Sequence, residues 1–437
     1  MVSNRKKEQT ESTAKRGKIR EFFSYIPLLS WFLGILAAVL LERFIGAELA
    51  EDILGLRKIP VLFGFTIALK TPMQIPAVLT YTVTIYCLPI TLVSKYGATM
   101  MNGVAESLTK LPLWVSVLVH LLVLYGILHI WADVSAYREL TVKLMFIAIM
   151  MTLSLNVING YMGEFSCSHP GFMALGAYGT SVLTVLLFSN DRLFGEALIT
   201  TSSWAFLFFP LALIAGGLFA SFGALLIAIP SFKTRGDYLA IISLAFLFIV
   251  KSIIENLEIV GGPRGLSGQP NWANLPTVFA VCVVCVWIVN NFVRSIVGKA
   301  TNAVRDDETA ANAMTIDTRR TKLVAFLFSA FWAGVAGGLF AHVLRYVNPG
   351  TFYIQKLAEV LAMVYFGGLN SVYGSIVGAV SLSVLGEALR PLQMWKWIII
   401  PLLLILVMIF RPKGLISFKE FKVGSLVQPK RRTNREV

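Results

Sequence analysis

Charge is scarce in this chain. Only 14% of its 437 residues are charged and 56% are hydrophobic, whereas soluble domains carry about 25% charged residues. That shortage excludes an ordinary soluble enzyme or binding module. The short alternating segments of a membrane β-barrel are also missing. Helices are then the remaining way to satisfy backbone polar groups in lipid. Histidine and cysteine are few, four of each. Cys282 and Cys285 form CVVC inside VFAVCVVCVWIV. The spacing suits redox or zinc chemistry, but no second pair or histidine lies near in sequence. Two small packing residues fit better, and Cys87 and Cys167 also sit in or beside apolar runs. No disulfide and no metal site is expected. The chain has no Gly-Lys-Ser/Thr phosphate loop, no HExxH and no Gly-x-Ser-x-Gly elbow. Nucleotide binding and membrane-embedded hydrolysis within this chain lose their usual residues.

What the chain has is long apolar runs. Many exceed the roughly 20 residues that span a bilayer. The reading is an all-α polytopic membrane protein. Spans are expected near 26–46, 76–95, 111–131, 140–160, 169–189, 205–230, 239–260, 277–297 and 323–346. Three shorter apolar pieces follow near 357–368, 373–389 and 395–410, for about ten to twelve crossings. The run at 59–69 is too short to cross unaided. A polar lead of about two dozen residues is too long for a signal peptide's basic region, so the first span is expected to be retained.

Net charge is +14, and the basic residues cluster at both ends, as RKK, KRGKIR, RPKG, KEFK and PKRRTNRE. In a soluble protein they would suggest nucleic acid. Beside spans, positive charge marks the cytoplasmic side and meets anionic lipid, so no nucleic-acid partner is expected. With the N-terminus inside, the span count returns SFKTRGD at 231–237 to the cytoplasm and puts GGPRGLSGQPNW, from Gly261, outside. The next crossing brings residues 298–322 inside, and the C-terminal basic tail ends inside as well.

Residues 298–322, GKATNAVRDDETAANAMTIDTRRTK, are the one long polar passage within the apolar chain. Ala303, Ala310, Ala311 and Met314 can share one side of a short helix. Asp306, Asp307 and Glu308 sit together, and Arg319, Arg320 and Lys322 follow. Such a helix suits the membrane surface and a soluble partner. By spacing alone, a solvated loop whose charges set topology fits equally well.

Other passages interrupt the spans. Residues 161–178, YMGEFSCSHPGFMALGAY, hold Gly163, His169, Pro170, Gly171 and Gly176. Broken helices at membrane depth line cavities or lie buried in protein; an ordinary connection between spans is the equal alternative. Arg235, Gly236 and Asp237 form a turn in which Asp237 can cap the next helix. Lys251 and Glu255 lie one helical turn apart and are expected to pair. Residues 366–379, FGGLNSVYGSIVGA, carry the small-xxx-small spacing of Gly374 and Gly378, which lets helices approach closely. Glu359 lies in an apolar piece, either facing a path or paired within the bundle.

These passages, in order, resemble permease subunits of ABC importers of the branched-chain amino acid type. That family carries G-x-x-G-x-x-S-x-G-H-x-x-F-x-x-[IV]-G-A-Y, met here at Gly160, Gly163, Ser166, His169, Phe172, Gly176, Ala177 and Tyr178, with Ser168 and Pro170 departing. Arg235, Gly236 and Asp237 match its R-G-D-Y element, and Gly261, Gly262 and Gly265 its T-G-G-x-x-G loop. Ala303, Arg305, Asp306, Asp307, Glu308, Ala310 and Ala311 follow A-x-R-[DE]-[DE]-E-x-A-A, with Thr315 where the family has glycine. Gly367, Gly368, Gly374 and Gly378 follow its last glycine-rich run, with Asn370 for glycine and Ser375 for proline.

The resemblance covers about residues 140 to 416 and implies an ABC importer permease fold with a cytoplasmic coupling helix near 299–318. The implied organisation is a basic cytosolic tail at 1–21, extra spans at 22–135, the permease core at 136–416 and a second tail at 417–437. Arg305, Asp306, Asp307, Glu308, Ala310 and Ala311 are the implied ATPase-coupling residues, with Ala311 fitting where bulk cannot. His169, Gly171, Gly176, Glu359, Gly367 and Gly368 are candidates for the path or its gate; Arg235, Gly236, Asp237, Gly261, Gly262 and Gly265 are turn residues. The chain itself would not be an enzyme. It would hold no cofactor, ATP and Mg belonging to two ATPase subunits. A second related permease and an extracytoplasmic binding protein would complete the assembly in a bacterial or archaeal plasma (inner) membrane, with both termini cytoplasmic. Branched-chain or other neutral amino acids are the implied substrates. The competing expectation is an ion-gradient-driven carrier or channel. It needs buried acids or histidines at midspan, for which Glu359, Glu387 and His120 are the candidates, and they form no relay in sequence.

Overall fold

The computed structural model describes residues 25–56, 71–189, 195, 205–232, 238–411, 414–418 and 420–430. The run at 59–69, the turn residues Arg235, Gly236 and Asp237, and the basic ends at 1–21 and 431–437 lie outside them. Among the described residues, nine helices are long and apolar enough to cross a membrane. They overlie the nine long runs expected from the sequence, because run length alone sets a span.

The chain forms two compact units, Met1–Ala136 with Lys422–Val437, and Tyr137–Phe421. In the first, α1 (Leu28–Glu48) packs against α3 (Leu88–Tyr96), which follows α2 (Ile75–Thr82) through one wide turn. Then come α4 (Ala98–Thr109) and α5 (Leu113–Ala132). His120 of α5 bonds the Ser116 carbonyl in its own helix at 2.7 Å.

The second unit holds the candidate site. Its helices are α6 (Ala136–Asn156), α7 (His169–Phe188), α8 (Ala205–Ser231), α9 (Tyr238–Asn256), α10 (Leu275–Arg294), α11 (Ile296–Asp306), α12 (Glu308–Ala313), α13 (Thr318–Leu344), α14 (Ile354–Gly367), α15 (Val372–Ala388) and α16 (Lys396–Phe410). A last short helix, α17 (Val423–Val427), belongs to the first unit and packs there against α5. Two short strands, β1 (Leu266–Ser267) and β2 (Tyr346–Val347), pair antiparallel with Leu266 opposite Val347. Gly261, Gly262 and Gly265, just before β1, all take positive φ, which glycine adopts without a Cβ penalty.

The core of this unit is the triple packing of α7, α8 and α13. Its closest approach runs through glycine. A Cβ on Gly176 would strike the Gly334 backbone, and one on Gly337 would strike the Met173 carbonyl. Without side chains there, backbones touch and dispersion contacts accumulate. Cys282 and Cys285 are buried in α10, and Lys251 pairs with Glu255 at 3.5 Å while lying 4.1 Å over the Tyr353 ring.

Candidate functional site

The polar passage is not one helix near 299–318 but two, α11 and α12, broken at Asp307. The reason is local. Asp307 is extended, and its carboxylate accepts from the Thr309 and Ala310 amides at 2.8 and 3.0 Å. A short acidic side chain offers the backbone this alternative to continuing a helix. Ser295 caps α11 through the Gly298 amide, and Asp317 caps α13 through the Arg320 amide at 2.9 Å. Between α12 and α13, Thr315 has φ +65°, the left-handed region that disfavours β-branched residues. That is the position where the family pattern carries glycine. Arg319, Arg320 and Lys322, read as a tail to the polar stretch, belong to the first turns of α13.

The faces are now assigned. Gly298, Thr301, Val304 and Ala311 turn inward, while Asp306, Asp307, Glu308, Thr309 and Ala310 are exposed. Ala311 is the position expected to fit where bulk cannot. It is buried against its own chain, and Ala310 takes the outer position. Met314, 75% exposed, adds an apolar tip.

Each acid also has a job inside the chain. Asp306 pairs with Arg305 at 2.7 Å. The Arg305 guanidinium also donates to the Gly160 carbonyl at 3.2 Å and lies 5.5 Å from the Phe418 ring. Gly163, with φ +77°, leaves no room for a Cβ beside the Arg305 side chain. Glu308 accepts from Lys322 Nζ at 2.9 Å, and the same ammonium donates to Glu164 at 2.7 Å. The polar segment is thereby tied to residues 157–168, where α6 widens into a π-type turn at Val157–Met162 and the chain runs irregularly to α7. Sequence reasoning missed Glu164 and gave Lys322 no partner. The available signal was an acid inside an otherwise apolar, helix-breaking passage.

The path candidates fall elsewhere. His169 is fully buried, with Nε2 at 2.9 Å from Ser329 Oγ. Ser329 donates its own hydroxyl proton to the Ser154 carbonyl, so the imidazole carries its proton on Nε2. Gly171 faces the Phe246 ring, and Gly176 sits at the α7–α13 crossing. Gly367 abuts the Gly374 backbone, and Gly368, with φ +124°, meets the chain at Ile416. There Leu415 and Ile416 donate to the carbonyls of Phe366 and Gly367 at 3.1 and 2.8 Å. These five residues hold helices and backbone together and line no part of the cavity described next.

Glu359 does line a cavity. It has a volume of about 390 Å3 among α6, α14, α15 and α16, with walls that include Leu144, Met151, Val360, Leu382 and Leu404. Glu359 pairs with Lys356 at 3.0 Å. Glu387, also on the wall, accepts from the Tyr137 hydroxyl at 2.7 Å and lies 3.5 Å from Arg390. Both pairs occupy the end of the unit away from the α14–α15 turn. At that turn, buried Asn156 bonds the Ser371 carbonyl and the Ser375 hydroxyl at 3.0 and 2.6 Å.

A family model described as "Branched-chain amino acid transport system / permease component" matches residues 138–409. The chain belongs to this family. It is the permease subunit of an ABC importer, a multi-pass inner-membrane protein rather than an enzyme, working with ATPase and substrate-binding partners. It is 32% identical over 308 residues to the high-affinity branched-chain amino acid transport system permease protein LivM of Escherichia coli K12, covering 62% of this chain and 68% of that protein. Salmonella typhimurium LivM is 32% identical over 305 residues, again 62% and 68% of the two chains. The permease protein BraD of Pseudomonas aeruginosa is 29% identical over 147 residues, 33% of this permease and 47% of BraD. No solved structure matches the permease. The family match begins at the second residue of the second unit and takes in α11, α12 and the cavity.

Proposed function

We propose that this permease, with a second related permease, forms the path for branched-chain or other neutral amino acids. In this reading the capped segment α11–α12 docks in one of two ATPase subunits. The observation that carries the reading is an exposed, acid-rich knob with three capped helix starts, fixed by side chains to the irregular connection at 157–168. Asp307 shapes the knob, its carboxylate being occupied by capping. Asp306, Glu308, Ala310 and Met314 are among the groups facing outward. ATP and Mg act on the ATPase subunits. The knob and both termini face the cytoplasm, in keeping with the positive-inside rule.

The cavity then opens toward the outer face, where a binding protein delivers substrate. Apolar walls with the Lys356–Glu359 pair at one end suit a zwitterion with an aliphatic side chain, the substrate class in the names of LivM and BraD. Lys356 would meet the carboxylate and Glu359 the ammonium. Uptake by cells carrying the assembled importer is expected to stop when ATP is depleted and to survive collapse of the proton gradient. Uptake that follows the proton gradient instead would establish an ion-driven carrier.

A further inference from the structure

Among the described residues, two basic side chains tie the docking knob to the connection at 157–168, and they differ in kind. Arg305 donates to a backbone carbonyl, at Gly160. Lys322 bridges two carboxylates from different places, Glu308 on the knob and Glu164 on the 157–168 connection. Its side chain is 12% exposed, against 26% for Glu164 and 49% for Glu308. A shielded ion pair holds its geometry better than a solvated surface pair. Beyond Glu164 the connection is bound onward. The Cys167 amide donates to Ser243 Oγ on α9 at 2.9 Å, the Ser166 amide donates to Asn159 at 3.2 Å, and α7 begins at His169.

We propose that Glu164 and Lys322 are positioning residues for energy coupling. Their ion pair carries displacement of the docking knob into the broken connection between α6 and α7. This rests on the docking role given above to α11–α12. Glu164 lies outside α11 and α12, with its side chain 26% exposed. Its removal leaves Lys322 paired with Glu308 and the knob's caps intact. It cuts the Lys322 bridge from knob to connection and leaves the bond from Arg305 to the Gly160 carbonyl. Two states of an assembly communicate only through contacts that differ between them, and the Lys322 bridge has one carboxylate on the knob and the other on the connection.

The test uses the complete importer in proteoliposomes with its binding protein. Uptake of radiolabelled leucine per ATP hydrolysed is measured alongside the stimulation of ATP hydrolysis by the binding protein loaded with leucine. In Glu164→Gln, the ATPase subunits should still co-purify in normal amounts and basal hydrolysis should persist. Stimulation by the binding protein and uptake per ATP should both fall about tenfold. Glu164→Asp keeps a carboxylate within reach of the flexible lysine and should restore both. Wild-type stimulation and uptake in Glu164→Gln overturn the link, as does failure of Glu164→Asp to restore them. Loss of the ATPase subunits from Glu164→Gln also overturns it, by showing a role in assembly. If the unsubstituted permease retains no ATPase through this knob, the docking reading fails, and the link with it.

Discussion

Glu308→Arg abolishes uptake in the assembled importer while the permease remains at its normal level in the membrane. The residue opens α12, with a side chain 49% exposed and an oxygen 2.9 Å from Lys322 Nζ. Arginine there places a cation against a cation and opposes the partial positive charge of the helix start, a change of about 0.3–1 kcal/mol for the dipole alone. Lys322 keeps Glu164 at 2.7 Å, so no buried charge is stranded. The helical core at α7, α8 and α13 is untouched. Such a surface change leaves most folds standing, yet it reverses the sign of the knob's central exposed acid. Immunoblots of membranes and uptake of radiolabelled leucine check the two halves separately. Normal uptake at normal protein level would remove Glu308 from coupling.

Gly337→Leu prevents the permease from accumulating. A Cβ at this position meets Met173 backbone atoms, the carbonyl carbon at 2.8 Å among them, and the Ala177 amide at 3.0 Å. All three belong to the opposing helix backbone, which cannot swing aside as a side chain does. Overpacking costs about 1–3 kcal/mol where side chains can yield, and here α7 and α13 must separate. Gly126→Ala is the matched control. Its added carbon meets nothing within 4 Å in α5, and alanine favours a helix over glycine by about 1 kcal/mol. Membrane abundance and thermal unfolding of detergent-purified protein should show loss for the first and wild-type behaviour for the second. A stable Gly337→Leu protein would mean that the two helices are not in backbone contact.

The spans were legible because membrane crossing depends on one local quantity, the length of an apolar run. Runs expected at 140–160, 205–230 and 277–297 appear as Ala136–Met162, Leu207–Ser231 and Leu275–Arg294. The knob was legible as a polar passage but not as a shape. Composition favoured one helix, and the backbone bonds of Asp307 made two. Spacing put Ala303, Ala310 and Ala311 on one face, a count that fails once the helix breaks between them. Thr315 departs from the family's glycine, and its positive φ shows that the backbone there keeps a glycine-like form. What could not be read is contact across the chain. Glu164 and Lys322 stand 158 residues apart and meet only through the fold. The glycines at 367 and 368 invited a reading as a break in the path. Their neighbours turn out to be the backbone at 414–416, whose approach no periodicity announces.

In the proposed function the exposed knob at α11–α12 receives the motion of an ATPase. Ala310 is its most suitable reporter, being small, exposed and outside every side-chain bond described for the segment. In membranes holding the whole importer, Ala310→Cys should be closed to an impermeant maleimide from the outer face and should crosslink to an ATPase subunit through a short bifunctional reagent. The crosslink yield should change when a non-hydrolysable ATP analogue is added. Labelling from outside, or a crosslink absent in every nucleotide state, would contradict the account.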